Sequence, residues 1–395
     1  MTNQLLDTFR ELSNLPTTSF YEQKILEYIK TKLDSYKIEF HQDSWGNIFA
    51  EVNGKTPNEI VFISHTDHPG FEIISKHKKN IYLAKALGGL PKNCVTNQTN
   101  VKIISNKSDL YKGKIINFYS KENKKTKIPK NYRWMTSEFV LIESESENIK
   151  LPSFAVFDLP ETKYFGERIV TPVADDLAGC ALIIETLNKL NKSSNEYSFK
   201  AIFSRAEEVG LIGARLIAAN ELISKNSIII SIETSSELPG ANFGKGPIIR
   251  TGDRLTTFDN KAELVLLQSV KEILRRDVNF AYQRQLMSAG GCEASAFAVF
   301  GYSVTGLALP LRNWHNGNEQ GDVEPEEISL LDYENAYKIM TNLGKLDIVK
   351  IKDYFKNLMM IPEDAKKLIN EEYLCLRLMD LIWLHKRLKM KAQSV

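Results

Sequence analysis

The sequence contains little cysteine, and the cysteines it has are far apart. Four occur in 395 residues, at Cys94, Cys180, Cys292 and Cys375, and no two of them form a Cys-x-x-Cys pair. Disulfide frameworks and thiolate zinc sites need cysteines that the fold or the local spacing brings together in sets. The pattern therefore argues against a cysteine-based metal site and predicts reduced, mostly buried thiols.

An excess of charge of either sign is also absent. The chain has 51 basic and 49 acidic residues, a net charge of +2, whereas nucleic acids and anionic membranes are bound by strongly basic surfaces. A basic run at residues 121–133 lacks the aromatic pattern that stacks on bases, so a solvated loop is the better interpretation. We predict no nucleic-acid partner.

Long apolar runs are missing as well. None approaches the ~20 residues of a membrane span, and the amphipathic N-terminus carries Asp7 and Glu11, unlike a secretory signal. We therefore predict a soluble, cytoplasmic protein without a membrane partner. The apolar tail from Asp347 favours packing on the domain or on another subunit over a membrane-surface helix, because its final basic cluster is short.

Two pairs of adjacent carboxylates lie at the ends of predicted elements. Asp175 and Asp176 precede a helix whose apolar positions recur from Leu177 onward, and Glu207 and Glu208 follow an apolar strand. Carboxylates gathered at the carboxyl ends of sheet strands repel one another unless a positive charge, most simply a divalent metal, lies between them. Each pair alone also fits a simpler interpretation, a helix cap and a solvated loop, so other ligands must decide.

Further candidate ligands end other predicted strands. His65 closes a near-continuous apolar strand, Glu233 follows another, and His315 follows a third. Imidazole binds zinc or cobalt well, and a neighbouring carboxylate can hold its other ring nitrogen. Asp67 is placed either for that role or to orient a ligand across the site, although a histidine such as His65, taken alone, is more often an ordinary hydrogen-bonded residue than a ligand.

Two imidazoles and three carboxylates match a pair of first-row metal ions. One arrangement places His65 and Glu233 on one ion, Glu208 and His315 on the other, and Asp175 as the bridge. Two divalent ions ~3.5–4 Å apart can share a water, lower its pKa and stabilise an oxyanion. Zinc suits these donors best, with cobalt or manganese as alternatives.

The remaining carboxylate, Glu207, has no metal to bind in this arrangement. It is predicted to take the proton of the water and deliver it to the leaving group, as a catalytic general acid–base. Because it is adjacent to Glu208 in an irregular segment, one side chain can face metal while the other faces substrate.

The element pattern predicts an α/β fold with a mixed central sheet flanked by helices. Residues 1–69 and 168–345 are expected to form the catalytic domain. Residues 70–167 change to short β-like runs between polar turns, which predicts an inserted β-rich domain. Residues 346–395 are predicted to form a helical C-terminal extension.

Several segments together resemble the M42 family of dinuclear metallo-aminopeptidases, relatives of the M28 and M20 peptidases that include glutamyl and TET-like enzymes. The resemblance rests on Ser64-His65-Thr66-Asp67, Ala174-Asp175-Asp176-Leu177-Ala178-Gly179-Cys180, Glu207-Glu208-Val209-Gly210-Leu211-Ile212-Gly213-Ala214, Gly244-Lys245-Gly246-Pro247 and Trp314-His315.

The family pattern implies the same metal ligands, with Glu207 as general base and Asp67 in support. It implies a β-rich insertion, large hollow tetrahedral homo-oligomers, and a cis peptide bond between Asp175 and Asp176.

The sequence departs from that pattern at a few positions. Leu177 stands where the family usually has Arg, Glu233 replaces the commoner Asp, and His68 replaces the usual Glu. Cys292-Glu293 replaces Thr-Asp, which leaves substrate specificity open. None of these changes removes a proposed ligand or the base.

These observations predict an enzyme that removes N-terminal residues from peptides with the help of two metal ions. One alternative is an amidohydrolase acting on N-acyl amino acids at the same metal site. Another is an oligomeric metal-binding scaffold that has lost catalysis through its altered loops.

Overall fold

The computed structural model describes residues 2–105, 109–119, 138–346, 356–369 and 371–392. It has two compact units, Met1–Leu346 and Asp347–Val395. The basic run at 121–133 lies outside the described residues. Among the described helices, none is long and apolar enough to cross a membrane.

Seven α-helices are described in the first unit. They are α1 Thr2–Ser13, α2 Gln23–Ser35, α3 Leu177–Asn191, α4 Ile212–Ala219, α5 Asn260–Leu274, α6 Glu293–Ala298 and α7 Leu330–Asn342. The amphipathic N-terminus forms α1, and α3 begins at Leu177, as the recurring apolar positions predict. Asp176 caps α3 as predicted, since its carboxylate accepts from the backbone N–H of Gly179.

The described part of the chain contains a mixed sheet of eleven strands. They are β1 Glu39–Gln42, β2 Ile48–Val52, β3 Glu59–His65, β10 Lys163–Phe165, β11 Arg168–Thr171, β12 Ser198–Ser204, β13 Ile228–Ser236, β14 Ile248–Asp253, β15 Gln283–Met287, β16 Ser303–Arg312 and β17 Glu326–Ser329. The main order is β1-β2-β12-β3-β13-β16-β17-β11-β10, with β14 joined to β15 and β16. The predicted mixed α/β sheet is confirmed.

The centre of this sheet is parallel and covered on both faces. Strands β12, β3, β13 and β16 run parallel to one another. Val61 and Ile63 of β3 pack in one cluster with residues of α4 and α6, while α3 contacts the other side of β3. Burial on both faces explains why β3 is apolar without alternation. The carboxyl ends of these strands therefore meet at one edge.

Six further strands close into a barrel. They are β4 Gly70–Lys76, β5 Ile81–Leu87, β6 Asn100–Ser105, β7 Asp109–Phe118, β8 Phe139–Ser144 and β9 Ser153–Phe157. The barrel has its own apolar interior, which includes Phe71, Tyr82 and Ile103. This agrees with the expected β-rich insertion. The residue limits of the predicted domains stay a prediction.

Three elements of the first unit have weak sequence signals. Strands β14 and β15 and helix α6 are only five or six residues long, and β15 and α6 consist mainly of polar or small residues. Their positions are fixed by pairing with β16 and by packing on the sheet rather than by a local repeat.

The second unit contains three described helices, α8 Lys356–Met359, α9 Glu363–Ile369 and α10 Glu371–Ala392. This is consistent with the predicted helical character of the tail. Many of its described apolar side chains are exposed, among them Leu376, Met379 and Trp383.

Gly246, which lies shortly before β14, packs closely against the backbone of a neighbouring segment. Its φ is +94°, and an added Cβ would lie 2.3 Å from backbone atoms of Ala281. Gly166 also has a left-handed φ, +59°, but no atom lies within 4 Å of its added Cβ. We expect Gly166→Ala to lower the free energy of unfolding by about 1 kcal/mol and Gly246→Ala by about 2–4 kcal/mol, measured in urea. Equal losses of stability in the two variants would contradict the close approach of Gly246 to the backbone of Ala281.

Candidate metal centre

The candidate residues meet at the carboxyl edge of the parallel strands. His65 is the last residue of β3 and is level with Ser204 at the end of β12, so residues 207 and 208 follow directly beside it. Glu233 lies in β13, on the other side of β3. The fold thus brings together donors that are far apart in sequence.

Asp175 lies between the two imidazoles. His65 Nε2 is 3.3 Å from Asp175 Oδ1, and His315 Nε2 is 3.8 Å from Asp175 Oδ2. His315 Nε2 is also 3.1 Å from Glu208 Oε2. Both imidazole Nε2 atoms and the carboxylates therefore point into one space, with one Asp175 oxygen near each ring.

Several buried oxygens at this centre lack a hydrogen-bond partner. They are Asp175 Oδ1, Glu208 Oε1 and Glu233 Oε1. An unpaired buried carboxylate oxygen is costly, and a divalent cation satisfies several such oxygens at once. The donor set of imidazole and carboxylate thus fits a hard or borderline metal ion.

The orientation of His65 is set by the backbone of Asp67. Its Nδ1 lies 3.1 Å from the carbonyl oxygen of Asp67, whereas the Asp67 carboxylate is 3.7 Å away, too far for a hydrogen bond. That carboxylate instead accepts from the backbone N–H groups of Glu207 and Glu208 at 2.9 and 3.2 Å and from the Ser19 hydroxyl at 2.6 Å. Asp67 therefore orients the two glutamates across the site.

His315 is held by groups that sequence reasoning did not single out. It lies in a 3-10 turn, Trp314–Asn316, with a φ of +54°. The buried carboxylate of Glu326 accepts from the backbone N–H of His315 at 2.9 Å and from that of Asp175 at 3.0 Å. Trp314 stacks on the His315 ring, with centroids 3.7 Å apart, and its Nε1–H donates to Asp175 Oδ2 at 3.1 Å.

Residues 46–328 match the family model described as M42 glutamyl aminopeptidase. The chain belongs to the M42 peptidase family.

Individual relatives agree with this assignment. A protein of Acetivibrio thermocellus that carries an aminopeptidase name is 23% identical over 348 residues, which cover 85% of this chain and 97% of that protein. The glutamyl aminopeptidase of Lactococcus lactis subsp. cremoris is 22% identical over 381 residues, covering 89% and 100%.

The fold also has a solved counterpart. The Pyrococcus horikoshii TET1 peptidase, which can assemble into a tetrahedron or a large octahedral shell, has a TM-score of 0.69 at 24% identity, covering 86% of this chain and 98–99% of that one. The predicted family and the predicted class of enzyme, a hydrolase of the aminopeptidase type, are confirmed.

Two departures from the family pattern have clear positions in this M42 peptidase. His68 lies behind the centre, with Nδ1 2.7 Å from the carbonyl oxygen of Asp175 and Nε2 3.0 Å from Asn316 Oδ1. Leu177 is fully buried in the core. The Asp175–Asp176 peptide bond is cis, as the resemblance implied.

A further departure concerns a buried carboxylate, because Glu293 stands where the family pattern has the shorter Asp. Glu293, at the start of α6, is fully buried and accepts from the hydroxyls of Ser204 at 2.9 Å and Ser231 at 3.3 Å. It also faces Glu233, one of the candidate ligands. Sequence reasoning flagged the position only as altered, because α6 was not predicted.

Crowding of acids changes the pKa values at the centre. Burial, together with Glu208 and other nearby carboxylates, holds the pKa of Glu207 well above its usual range; burial and Glu293 do the same for Glu233. Burial by itself lowers the pKa of His65, but Glu207 and Asp175 outweigh it and raise that pKa. Burial raises the pKa of Asp175, but the contact with His65 and the positive charges of the neighbouring imidazoles, His65 and His315 among them, together outweigh burial and lower that pKa to about 2.

A cavity of about 730 Å³ opens onto these groups. The acids Glu207, Glu208 and Glu233 lie on its wall, and three arginines also line it, Arg215, Arg250 and Arg254. Arg250 is buried and Arg215 and Arg254 are exposed. The cavity is large enough for the end of a peptide.

The metal-free protein should become less stable as pH rises. A carboxyl or an imidazole whose pKa is raised in the folded state holds its proton on folding and thereby stabilises the folded protein at low pH. This stabilisation is lost as the pH rises above the ordinary pKa of the group, which is 4.5 for Glu207 and Glu233 and 6.5 for His65 and His315. We expect the free energy of unfolding without metal to fall by roughly 1–3 kcal/mol between pH 5 and 8. Denaturant titrations at several pH values measure it.

Added zinc should reverse this slope, because metal binding needs deprotonated ligands. Glu233→Gln should make the metal-free slope shallower. A flat metal-free profile would mean that these groups are not protonated in the folded state.

Proposed function

We propose that this M42 peptidase is a metal-dependent aminopeptidase with two divalent ions and Glu207 as its general base. The observation that carries the proposal is the set of buried, unpaired carboxylate oxygens between two imidazoles at the end of a peptide-sized cavity.

Three groups of donors lie close together, and two of them share Asp175; the third is His65, Glu207 and Glu208. His65, Asp175 and Glu233 can place one donor atom each within 4.8 Å of one another, and so can Asp175, Glu208 and His315. We assign one ion to each of these two groups and make Asp175 the bridge. Zinc is our first choice, with cobalt or manganese as alternatives.

The ions would supply a water of lowered pKa and positive charge for the carbonyl oxygen of the scissile bond. Glu207 Oε takes a proton as the attacking oxygen bonds to the carbonyl carbon. The same carboxyl then donates that proton to the leaving nitrogen as the carbon–nitrogen bond breaks. Burial raises the pKa of Glu207 above its usual range, which helps the carboxyl to keep the proton between the two steps.

The arginines favour a substrate that begins with an acidic residue. Arg215 and Arg254 expose guanidinium groups on the wall of the same cavity, and a guanidinium pairs with a carboxylate by two parallel hydrogen bonds. The family model and the Lactococcus lactis relative both carry the name glutamyl aminopeptidase, which agrees with an acidic N-terminal residue in the substrate.

We further propose a homo-oligomer in the cytoplasm. The assembly of the Pyrococcus horikoshii TET1 peptidase supports the oligomer. The domain limits 1–69 with 168–345, 70–167 and 346–395 belong to the same proposal.

Glu207→Gln should bind metal normally and lose turnover. The amide cannot accept the proton, so we expect kcat to fall by about 10²–10⁴-fold, measured on aminoacyl-anilides with metal content determined in parallel. Glu208→Gln is the matched control, since it should lose bound metal as well. Turnover by Glu207→Gln near that of the wild type would refute the assigned base.

Arg254→Met should selectively weaken cleavage of acidic substrates. We expect kcat/KM for a glutamyl-anilide to fall about 10-fold, the effect of losing one charge-assisted contact, while a leucyl-anilide is little affected. An equal loss on both substrates would contradict the side-chain contact.

The alternatives are separated by the same assays. Paired substrates with a free and an acylated amine distinguish an aminopeptidase from a deacylase of N-acyl amino acids. Bound metal without hydrolysis of any substrate would support the impaired scaffold.

A further inference from the structure

A buried ion pair lies beside the catalytic loop but outside the donor set. We define the base loop as residues 205–208, which follow β12 and carry Glu207 and Glu208. Glu22, directly before α2, is fully buried, and its Oε2 accepts from Arg205 Nη2 at 2.6 Å and from Nε at 3.0 Å. Charge-assisted pairs of this kind are stronger and more directional than neutral hydrogen bonds.

The second oxygen of Glu22 binds the backbone of the base loop. Its Oε1 accepts from the N–H of Ala206 at 3.2 Å and from that of Phe20 at 2.9 Å. Ala206 has a φ of +54°, a conformation that a residue with a side chain rarely adopts. The carboxylate therefore holds the loop in a shape that its sequence does not favour.

Two carboxylates thus accept hydrogen bonds from three successive backbone N–H groups of the base loop. Glu22 accepts from residue 206, and Asp67 accepts from residues 207 and 208. The two acids come from separate parts of the chain, just before α2 and just after β3. Together they leave little freedom for the loop to rotate.

Arg205 is in turn fixed by the turn before β2. Its Nη1 donates to the carbonyl oxygen of Trp45 at 2.8 Å, and its backbone N–H donates to Asn47 Oδ1 at 3.0 Å. A Cβ added at Gly46, whose φ is +90°, would lie 2.7 Å from Nη1. The turn therefore leaves the guanidinium just enough room to reach Glu22.

We propose that Glu22 and Arg205 are a positioning pair that sets the direction of the general base Glu207. The pair acts through the loop backbone and does not touch substrate. This inference rests on the proposed function for its catalytic consequence only, since the structural consequence, an immobile base loop, is measurable without turnover. A displacement of about 1 Å at a reacting group can cost 10²-fold in rate.

The first measurement is hydrogen exchange of the metal-free protein. Glu22→Gln keeps the shape of the side chain but removes its charge, and Arg205→Met removes the guanidinium. Both should speed exchange at the amides of residues 206–208 at least 10-fold. Unchanged exchange there in both variants would overturn the proposal, and this outcome does not depend on whether the protein is an aminopeptidase.

The second measurement is steady-state kinetics of the metal-loaded protein. Both variants should lower kcat for aminoacyl-anilides at least 10-fold with KM changed less than about 3-fold, because substrate contacts remain. The double variant should be no slower than the worse single variant, because the two residues act as one unit. A rise in KM with unchanged kcat would overturn the proposal. So would a double variant in which the two single losses of kcat add up.

Glu185→Gln is the matched control. Glu185 is also buried, and its carboxylate accepts from Thr8 and Tyr36 at 2.7 Å, outside the base loop. The Glu185→Gln variant should lower Tm about as much as Glu22→Gln does. Its kcat and the hydrogen exchange of its base loop should stay near those of the wild type. An equal loss of kcat in the control would mean that general destabilisation explains the effect. Arg205→Lys, which keeps the charge but not the paired donors, serves if Glu22→Gln does not fold.

Discussion

The structure depends on burying several like charges at one edge of a sheet. Carboxylates repel one another more strongly in a buried site than in water, since the effective dielectric constant is lower. In this protein the repulsion is countered by two imidazoles, by backbone N–H groups aimed at Asp67 and Glu326, and by raised pKa values at Glu207 and Glu233. A few carboxylate oxygens remain unpaired, and these oxygens mark the candidate metal centre.

The parallel strands explain why the donors can converge. Neighbouring parallel strands end at the same edge, so a histidine that closes β3 and the glutamates that follow β12 must be neighbours. The fold class and the candidate donors were therefore predictable from apolar strand runs followed by His, Asp or Glu. The capping role of Asp176 was predictable for the same reason, because it depends only on the residues that follow it.

The supporting groups were not predictable in this way. Glu326, Glu293 and Glu22 lie in segments with no distinctive local pattern, and each acquires its role from packing against a distant part of the chain. The only local hint was positional: Glu293 falls in a segment that departs from the family pattern. Short elements such as β14 and α6 were missed because pairing with β16 and the sheet, rather than periodicity, fixes them.

The barrel separates His65 from Asp175 along the chain, although their side chains are 3.3 Å apart. Both ends of the inserted segment must return to the same place before these two donors can meet, and the entropy of closing so long a loop opposes that step until the barrel has formed. The candidate metal donors His65 and Asp175 are therefore expected to meet only after the barrel has formed. Metal binding at this candidate centre would then report that the inserted segment has folded.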